Sequence, residues 1–202
     1  GGKTWSASDV ETEFSKQGFF VKKALFARTM AETIELSGLS DGKSLNNVDV
    51  VVKKFPLSHL TTFPFIPESN KDVFQSLGGE LDSLHFKIDG SFANPTANLK
   101  ASFSKLAYSG APIGTQTFSL NCKDSLITGE SEVWTTSSNG RRHQSFSAIV
   151  NALPISLALE PRTERLSSSR PMDITAKADQ FSLAAIAPFV PGVSQFRGSA
   201  DA

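Results

Sequence analysis

The chain has 202 residues, 39% of them hydrophobic and 20% charged, with a formal net charge of +0. That length supports a core of its own, and the composition is neither that of a disordered chain nor that of a membrane-spanning one. Balanced charge provides no basic stripe for a nucleic-acid backbone, the single Cys122 excludes an internal disulfide and a Cys-cluster metal site, and no run of about 18 apolar residues offers a bilayer span.

The first residue is Gly1 and no signal peptide precedes the pattern, so the chain is expected to be a piece of something longer. Its low cysteine content fits an oxidising compartment. The aromatic content is skewed, with 16 Phe against 1 Tyr and 2 Trp. Phe carries apolar area without a polar tip to satisfy. It serves either an ordinary core or an apolar lining left open to a greasy ligand.

In chain order, "TWSASDVETEF" (4–14) and "GFFVKKALFARTMAETIELSGL" (18–39) read as strands, with a helix over part of 22–34 as the alternative. "VDVVVKKF" (48–55) is a strand, and "PLSHLTTF" (56–63) has the shape of a short helix. "LHFKIDGSF" puts Leu84, Phe86, Ile88 and Phe92 on one face and His85, Lys87, Asp89 and Ser91 on the other. After a break at Asn94-Pro95, "ANLKASF" sets Ala97, Leu99, Ala101 and Phe103 against Asn98, Lys100 and Ser102. "FSLNC" (118–122) and "SFSAIV" (145–150) alternate too, and "LPISLALE" gives Leu153, Ile155, Leu157 and Leu159. Strict alternation marks strands with one apolar and one polar face, as in antiparallel sheet.

Turn signals separate the runs at "SGAPIG" (109–114) and "SSNGRR" (137–142), the Asn139-Gly140 pair being a hairpin signal. "EPRTERLSSSRP" (160–171) reads as a longer polar loop. "PMDITAKAD" follows with Met172, Ile174, Ala176 and Ala178 on its apolar side. "SLAAIA" (182–187) then has Ser182 as N-cap and Pro188 as stop of a short helix. The expectation is a meander of strands roughly 8 to 11 residues long.

An internal repeat accompanies this pattern. "VDVVVKKFPLSHLTTFPFIP" (48–67) matches "MDITAKADQFSLAAIAPFVP" (172–191), with Asp49 on Asp173, Lys53 on Lys177 and Ser58 on Ser182; "LGGELD" (77–82) then meets "FRGSAD" (196–201). Repeats of this kind build arrays extended in one dimension. The expected organisation is N-terminal strands over 1–47, one repeat over 48–171, and the start of the next over 172–202.

Catalytic patterns are sparse. His59, His85 and His143 have no metal-ligand spacing. "SFSK" (102–105) and "SDGK" (40–43) match Ser-x-x-Lys, but in a strand Ser102 and Lys105 point to opposite faces. Phosphate loops, nucleophile elbows, zinc-protease motifs and paired carboxylates are absent, and Arg141, Arg142 and His143 read as a solvated hairpin tip. No enzyme, metal or cofactor is expected. The positive feature is the apolar face that strand after strand presents, with few helices to cover it. Two sheets packed into a closed sandwich or barrel would bury it. So would one long sheet curled into a trough.

"IDGSFANPTANLKASFSKLAYSGAPIGTQTFSLNCKDSLITGESEV" (88–133) resembles the repeated segment of the AsmA-like/TamB superfamily: a Gly-led strand, an Asn-Pro break, an alternating strand, a Gly-apolar-Gly turn and further alternating strands. Leu183 to Gly198 resembles the other recurrent element of that family, Leu-x-x-Leu/Ile-x-Pro-Phe-apolar-Pro and then apolar-x-Gly. The resemblance covers 48–202 and is weak over 1–47.

It implies a mainly β fold, a long curved antiparallel sheet forming an open apolar groove with one or two short helices. It also implies a periplasmic protein held in the inner membrane by a helix outside this chain, with neighbouring repeats of the same chain alongside. The partners it implies are phospholipid acyl chains moving between inner and outer membranes and a TamA-like outer-membrane protein; nucleic acid is not among them. Some ten strands span only about 45 Å, so crossing an envelope takes several such pieces. Candidate groove residues are Leu84, Phe86, Ile88, Phe92, Leu99, Phe103, Leu153, Ile155, Leu157, Leu159, Met172 and Ile174. Charge at Phe86 or Leu157 is expected to abolish lipid association. Competing expectations are a scaffold that offers a sheet edge to client strands during outer-membrane protein assembly, and a closed, structural β-sandwich.

Overall fold

The computed structural model describes residues 4–16, 18–62, 71–137, 139–159, 165–167, 170–183 and 199–200. Ten strands form one antiparallel sheet in chain order: β1 (Ser6–Ser15), β2 (Gly18–Ala27), β3 (Thr33–Ser40), β4 (Ser44–Pro56), β5 (Leu77–Ser91), β6 (Asn94–Tyr108), β7 (Ala111–Lys123), β8 (Leu126–Thr136), β9 (Arg142–Leu153) and β10 (Asp173–Ala178). A separate two-stranded ladder joins β11 (Phe181–Ser182) to β12 (Ser199–Ala200). A 3-10 helix (Leu57–Thr62) and the short helix α1 (Lys71–Ser76) lie on the connection from β4 to β5. The sheet does not close: β1 and β10 are its two edges. The trough is therefore the arrangement adopted, and the closed sandwich is not.

Local chemistry explains the meander. Ser109 and Gly110 both adopt positive φ (48° and 79°) in the turn from β6 to β7, and Asp124 and Ser125 do so (53° and 57°) from β7 to β8. Two residues with positive φ match the twist of the flanking strands. The tip between β8 and β9 is tied by Asn139, whose Oδ1 accepts from Ser137 Oγ at 2.6 Å and from Arg141 N at 3.0 Å.

Over 18–39 the strand reading holds and the helix alternative for 22–34 does not, the segment being β2, a turn and β3. Thr29 Oγ1 caps that turn by accepting from Glu32 N at 3.0 Å, and Arg28 and Glu32, spaced as for a helical ion pair, meet across it at 3.2 Å. The strands β4 to β7 run 13 to 15 residues rather than 8 to 11, because bulges absorb the irregular positions that read as strand ends. "LPISLALE" is not a strand. The ladder stops at Leu153, as Pro154 has no N–H to donate, and the buried set beyond it is Pro154, Ser156 and Ala158. Only Ile155 keeps a β-bridge, to Leu166.

Ser182, the expected N-cap, pairs with Ser199, and Leu183 directly after it is in 3-10 helical conformation, as a cap position requires. Residues 184–187 of that expected helix, and 160–164 and 168–169 of the polar loop, lie outside the described residues.

The sheet is bent as well as twisted. Register shifts coincide with residues at positive φ, at Asp9 in β1, Asn47 in β4 and Lys105 in β6. Bulges of this kind bend a strand and sharpen its twist. Trp5, just before β1, stacks on Phe55 near the end of β4 with ring centroids 5.8 Å apart. Their strands stand three spacings apart, about 14 Å in a flat sheet. The sheet thus curls over its apolar face at this end.

Candidate functional site

Residues directly opposite one another in neighbouring strands share a face, so the register traces lines of side chains across the sheet. One row runs Phe26, Ile34, Val52, Leu84, Ala101, Phe118, Ser131, Ala148, Ala176. The next, two residues along each strand, runs Leu36, Val50, Phe86, Leu99, Leu120, Gly129, Val150, Ile174. A third runs Val48, Ile88, Ala97, Cys122, Ile127, Leu153. A shorter one joins Phe103, Gln116, Val133, Phe146 and Ala178. Together they form a nearly continuous apolar floor. Its polar inserts, Gln116 and Ser131, partner each other, Gln116 Nε2 donating to Ser131 Oγ at 3.1 Å.

The two margins of this floor are covered. At one, the 3-10 helix and the strand ends around it build a core of Phe55, Leu57, Leu81, Leu106, Tyr108 and Ile113, joined by Leu60. At the other, the strap Pro154–Leu159 crosses back from β9. Leu159 N donates to Phe92 O at 2.8 Å, and Leu157 packs on the cluster of Ile88, Ala97 and Cys122. Between the margins Leu84, Phe86, Leu99, Phe118 and Leu120 are only half-buried. This open band, two rows wide, is the candidate site.

Of the predicted groove residues, Leu84, Phe86, Ile88, Leu99, Phe103, Leu153 and Ile174 stand on the floor, with Ile174 at its exposed edge. Phe92 sits in the turn between β5 and β6, where its N donates to Lys43 O at 2.8 Å. Leu157 comes from the strap, Ile155 faces Leu166, and Leu159 and Met172 are exposed. Val50, Val52, Phe118 and Leu120 belong to the floor and are absent from the predicted set. The alternation in "VDVVVKKF" and "FSLNC" was the signal that could have placed them.

The opposite face is polar and solvated. Asp49 accepts from His85 Nε2 at 2.8 Å and approaches Lys87 Nζ at 3.4 Å, and Lys54 Nζ bridges Glu80 and Asp82. A hollow of about 550 Å³ opens on this face beside Lys53, His85, Lys100, Glu130 and Glu132. A twisted sheet is a saddle, hollow on both sides in different directions. This hollow is lined by mixed, solvated charge. Ser102, the residue of the Ser-x-x-Lys match, pairs there with Ser83 Oγ at 2.8 Å. Among the described residues, no group of three His, Cys, Asp or Glu gathers as for a metal, and no helix is long and apolar enough to cross a membrane.

His59 caps the covered margin, its ring edge-on to Phe55 with centroids 5.9 Å apart. Burial, helped by the Arg28 charge and opposed by Glu32, holds its imidazole below the ordinary 6.5. The unfolded chain then binds the proton first as pH falls, so stability is lost as pH drops through about 6.5 towards the folded value. His59→Gln is expected to reduce the fall in melting temperature between about pH 7.5 and pH 5.5. An unchanged fall would show that other groups govern it. Comparison of the chain with protein-family models, curated proteins and solved structures finds no match in any of the three.

Proposed function

We propose that this chain is a groove module that shields phospholipid acyl chains from water and lets them pass along the sheet, across its strands. The observation that carries the reading is the floor: apolar rows continue from strand to strand across the sheet with their middle band uncovered. An acyl chain gains about 0.8 kcal/mol per methylene kept from water, so it needs no specific ligand, and a floor without charged side chains imposes no fixed stopping point. Headgroups stay in water beyond the open side. The reading assigns no catalytic residue and no cofactor.

The resemblance to the AsmA-like/TamB superfamily supports the same reading and supplies its setting. The module would work in a cell envelope, within a longer protein anchored in the inner membrane, supporting outer-membrane biogenesis beside neighbouring repeats and a TamA-like outer-membrane partner. Native mass spectrometry of the protein, gently released from a phospholipid extract, is expected to show bound phospholipid. Protein emerging free of lipid at every lipid load would sink the reading.

A second reading has its own support in the edge strand β10, exposed along Asp173–Lys177. An unpaired edge accepts client strands by β-augmentation, as a scaffold for outer-membrane protein assembly would require. Crosslinks from a client peptide to β10, with none to the floor, would favour it.

A further inference from the structure

We propose that the strap Pro154–Leu159 is a resident occupant of the third apolar row, braced in its seated shape by Arg165, that it lifts away from that row, and that an acyl chain takes its place. The last part rests on the groove reading above; the first two do not.

Among the described residues, most of the strap's hydrogen bonds run to the segment Arg165–Ser167. Ser156 N donates to Arg165 O at 2.8 Å, Ser167 N to Pro154 O at 2.9 Å, and Ile155 bridges Leu166. Arg165 Nη1 donates to the carbonyls of Ala158 at 2.9 Å and Ser156 at 3.3 Å, pinning the strap from the side. Bonds that reach the sheet end on its hairpin turns, from Leu159 N to Phe92 O and from Arg170 Nη1 to Asp124 O at 3.1 Å. Strands β5 to β9 keep their ladders whether or not the strap is in place. Among the described residues, removing it therefore breaks few bonds to the sheet and leaves an apolar row bare. A unit of that kind opens locally, well before the sheet unfolds.

What the strap covers is half of a longer line. The row beneath Leu157 continues past Val48 to Gly38 and Val21 on β3 and β2. There it is uncovered and forms an apolar pocket of about 160 Å³ with Phe19, Leu36 and Leu39. The strap ends at Phe92, beside the turn that joins β5 to β6. An acyl chain lying in the open pocket and extended along its row meets Leu157. Chain and strap compete for Ile88, Ala97 and Cys122.

Cys122 is the natural reporter, being 4% exposed, in that row, and the chain's only thiol. Its labelling by dithiobisnitrobenzoate is measured in lipid-free protein under native conditions. Arg165→Ala removes a charged donor from two carbonyls and is expected to speed labelling about tenfold. The urea midpoint of the sheet should stay in place. Equal labelling rates in variant and wild type, or labelling that merely follows a lowered midpoint, overturns the bracing role of Arg165.

Leu157→Ala is then titrated with lysophosphatidylcholine and read by native mass spectrometry. Occupancy above that of wild type at the same lipid concentration supports competition, and equal occupancy on a wild type that does hold lipid overturns it. Should wild type and variant both stay lipid-free, the groove reading fails and competition with it, while the thiol kinetics still decide whether the strap opens.

Discussion

Phe86→Asp is expected to strip bound phospholipid from the protein while leaving the sheet folded. Phe86 stands between Val50 and Leu99 in the middle of the open band. It is half-buried there, so a carboxylate at this position keeps contact with water when the groove is empty. A lipid tail crossing the band would have to dehydrate that carboxylate. With the lost contact of the ring, the cost is about 3 kcal/mol, roughly a hundredfold in retention. Two companions sharpen the test. Phe86→Leu keeps the floor apolar and should keep the lipid. His85→Gln changes the adjacent residue on the opposite, polar face and should also keep it. If Phe86→Asp holds as much lipid as wild type, with circular dichroism showing both folded, the floor is not the path. Equal loss in His85→Gln would point to a general effect on the sheet.

Gly114→Val is expected to be the most damaging change to stability, by about 3 kcal/mol, or roughly 10 °C in melting temperature. Gly114 lies in β7 opposite Leu106, at the register shift created by Lys105. Its φ is 125°, and a Cβ there would come within 2.2 Å of Trp134 O in β8. A β-branched residue at that φ is strained whatever the space, and here backbone, not a side-chain tip, blocks it. Gly140→Ala is the control, as it has positive φ too but nothing within 4 Å of a Cβ, and should cost about 1 kcal/mol. A melting curve for Gly114→Val that overlays wild type would show that the neighbouring strand gives way freely. The bend at this bulge would then not be rigid.

The fold was legible where side chains alternate cleanly. "LHFKIDGSF" up to Ser91 and "ANLKASF" announced both their strands and their faces, and register places Phe86 opposite Leu99 as the alternation requires, while Phe92 falls in the turn beyond the strand. Legibility failed where a local pattern has two uses. Over 22–34 two readings stood side by side: Arg28 and Glu32 suit a helix by spacing, but they close a hairpin because the flanking strands pair, as the strand reading had it. "LPISLALE" alternates as a strand does, but Pro154 removes the donor that would have continued the ladder, and the segment crosses over the sheet instead. Its burial inverts as a result, with Ala158 at 0% exposure and Leu159 at 50%. The floor itself was half legible. Period two says which residues share a face within a strand, but which residues align across strands depends on bulges such as Asn47 and Lys105. Those look like ordinary polar positions until the partner strand is known.

The strict chain order of the sheet has a kinetic consequence. Each of β2 to β10 pairs with the strand just made, so the ladders that hold the sheet join neighbours in sequence order and none needs a distant strand. Sheets that need distant strands to find each other fold slowly, because long loops must close before any contact forms. Here the connection from β4 to β5 and that from β9 to β10 are the longer closures, and both carry the segments that cover the floor. A chain emerging from the ribosome can add one hairpin at a time onto a finished edge. Growth by accretion tolerates added length, since each new strand asks only for the one before it. The floor lengthens by one side chain in each row with every strand laid down.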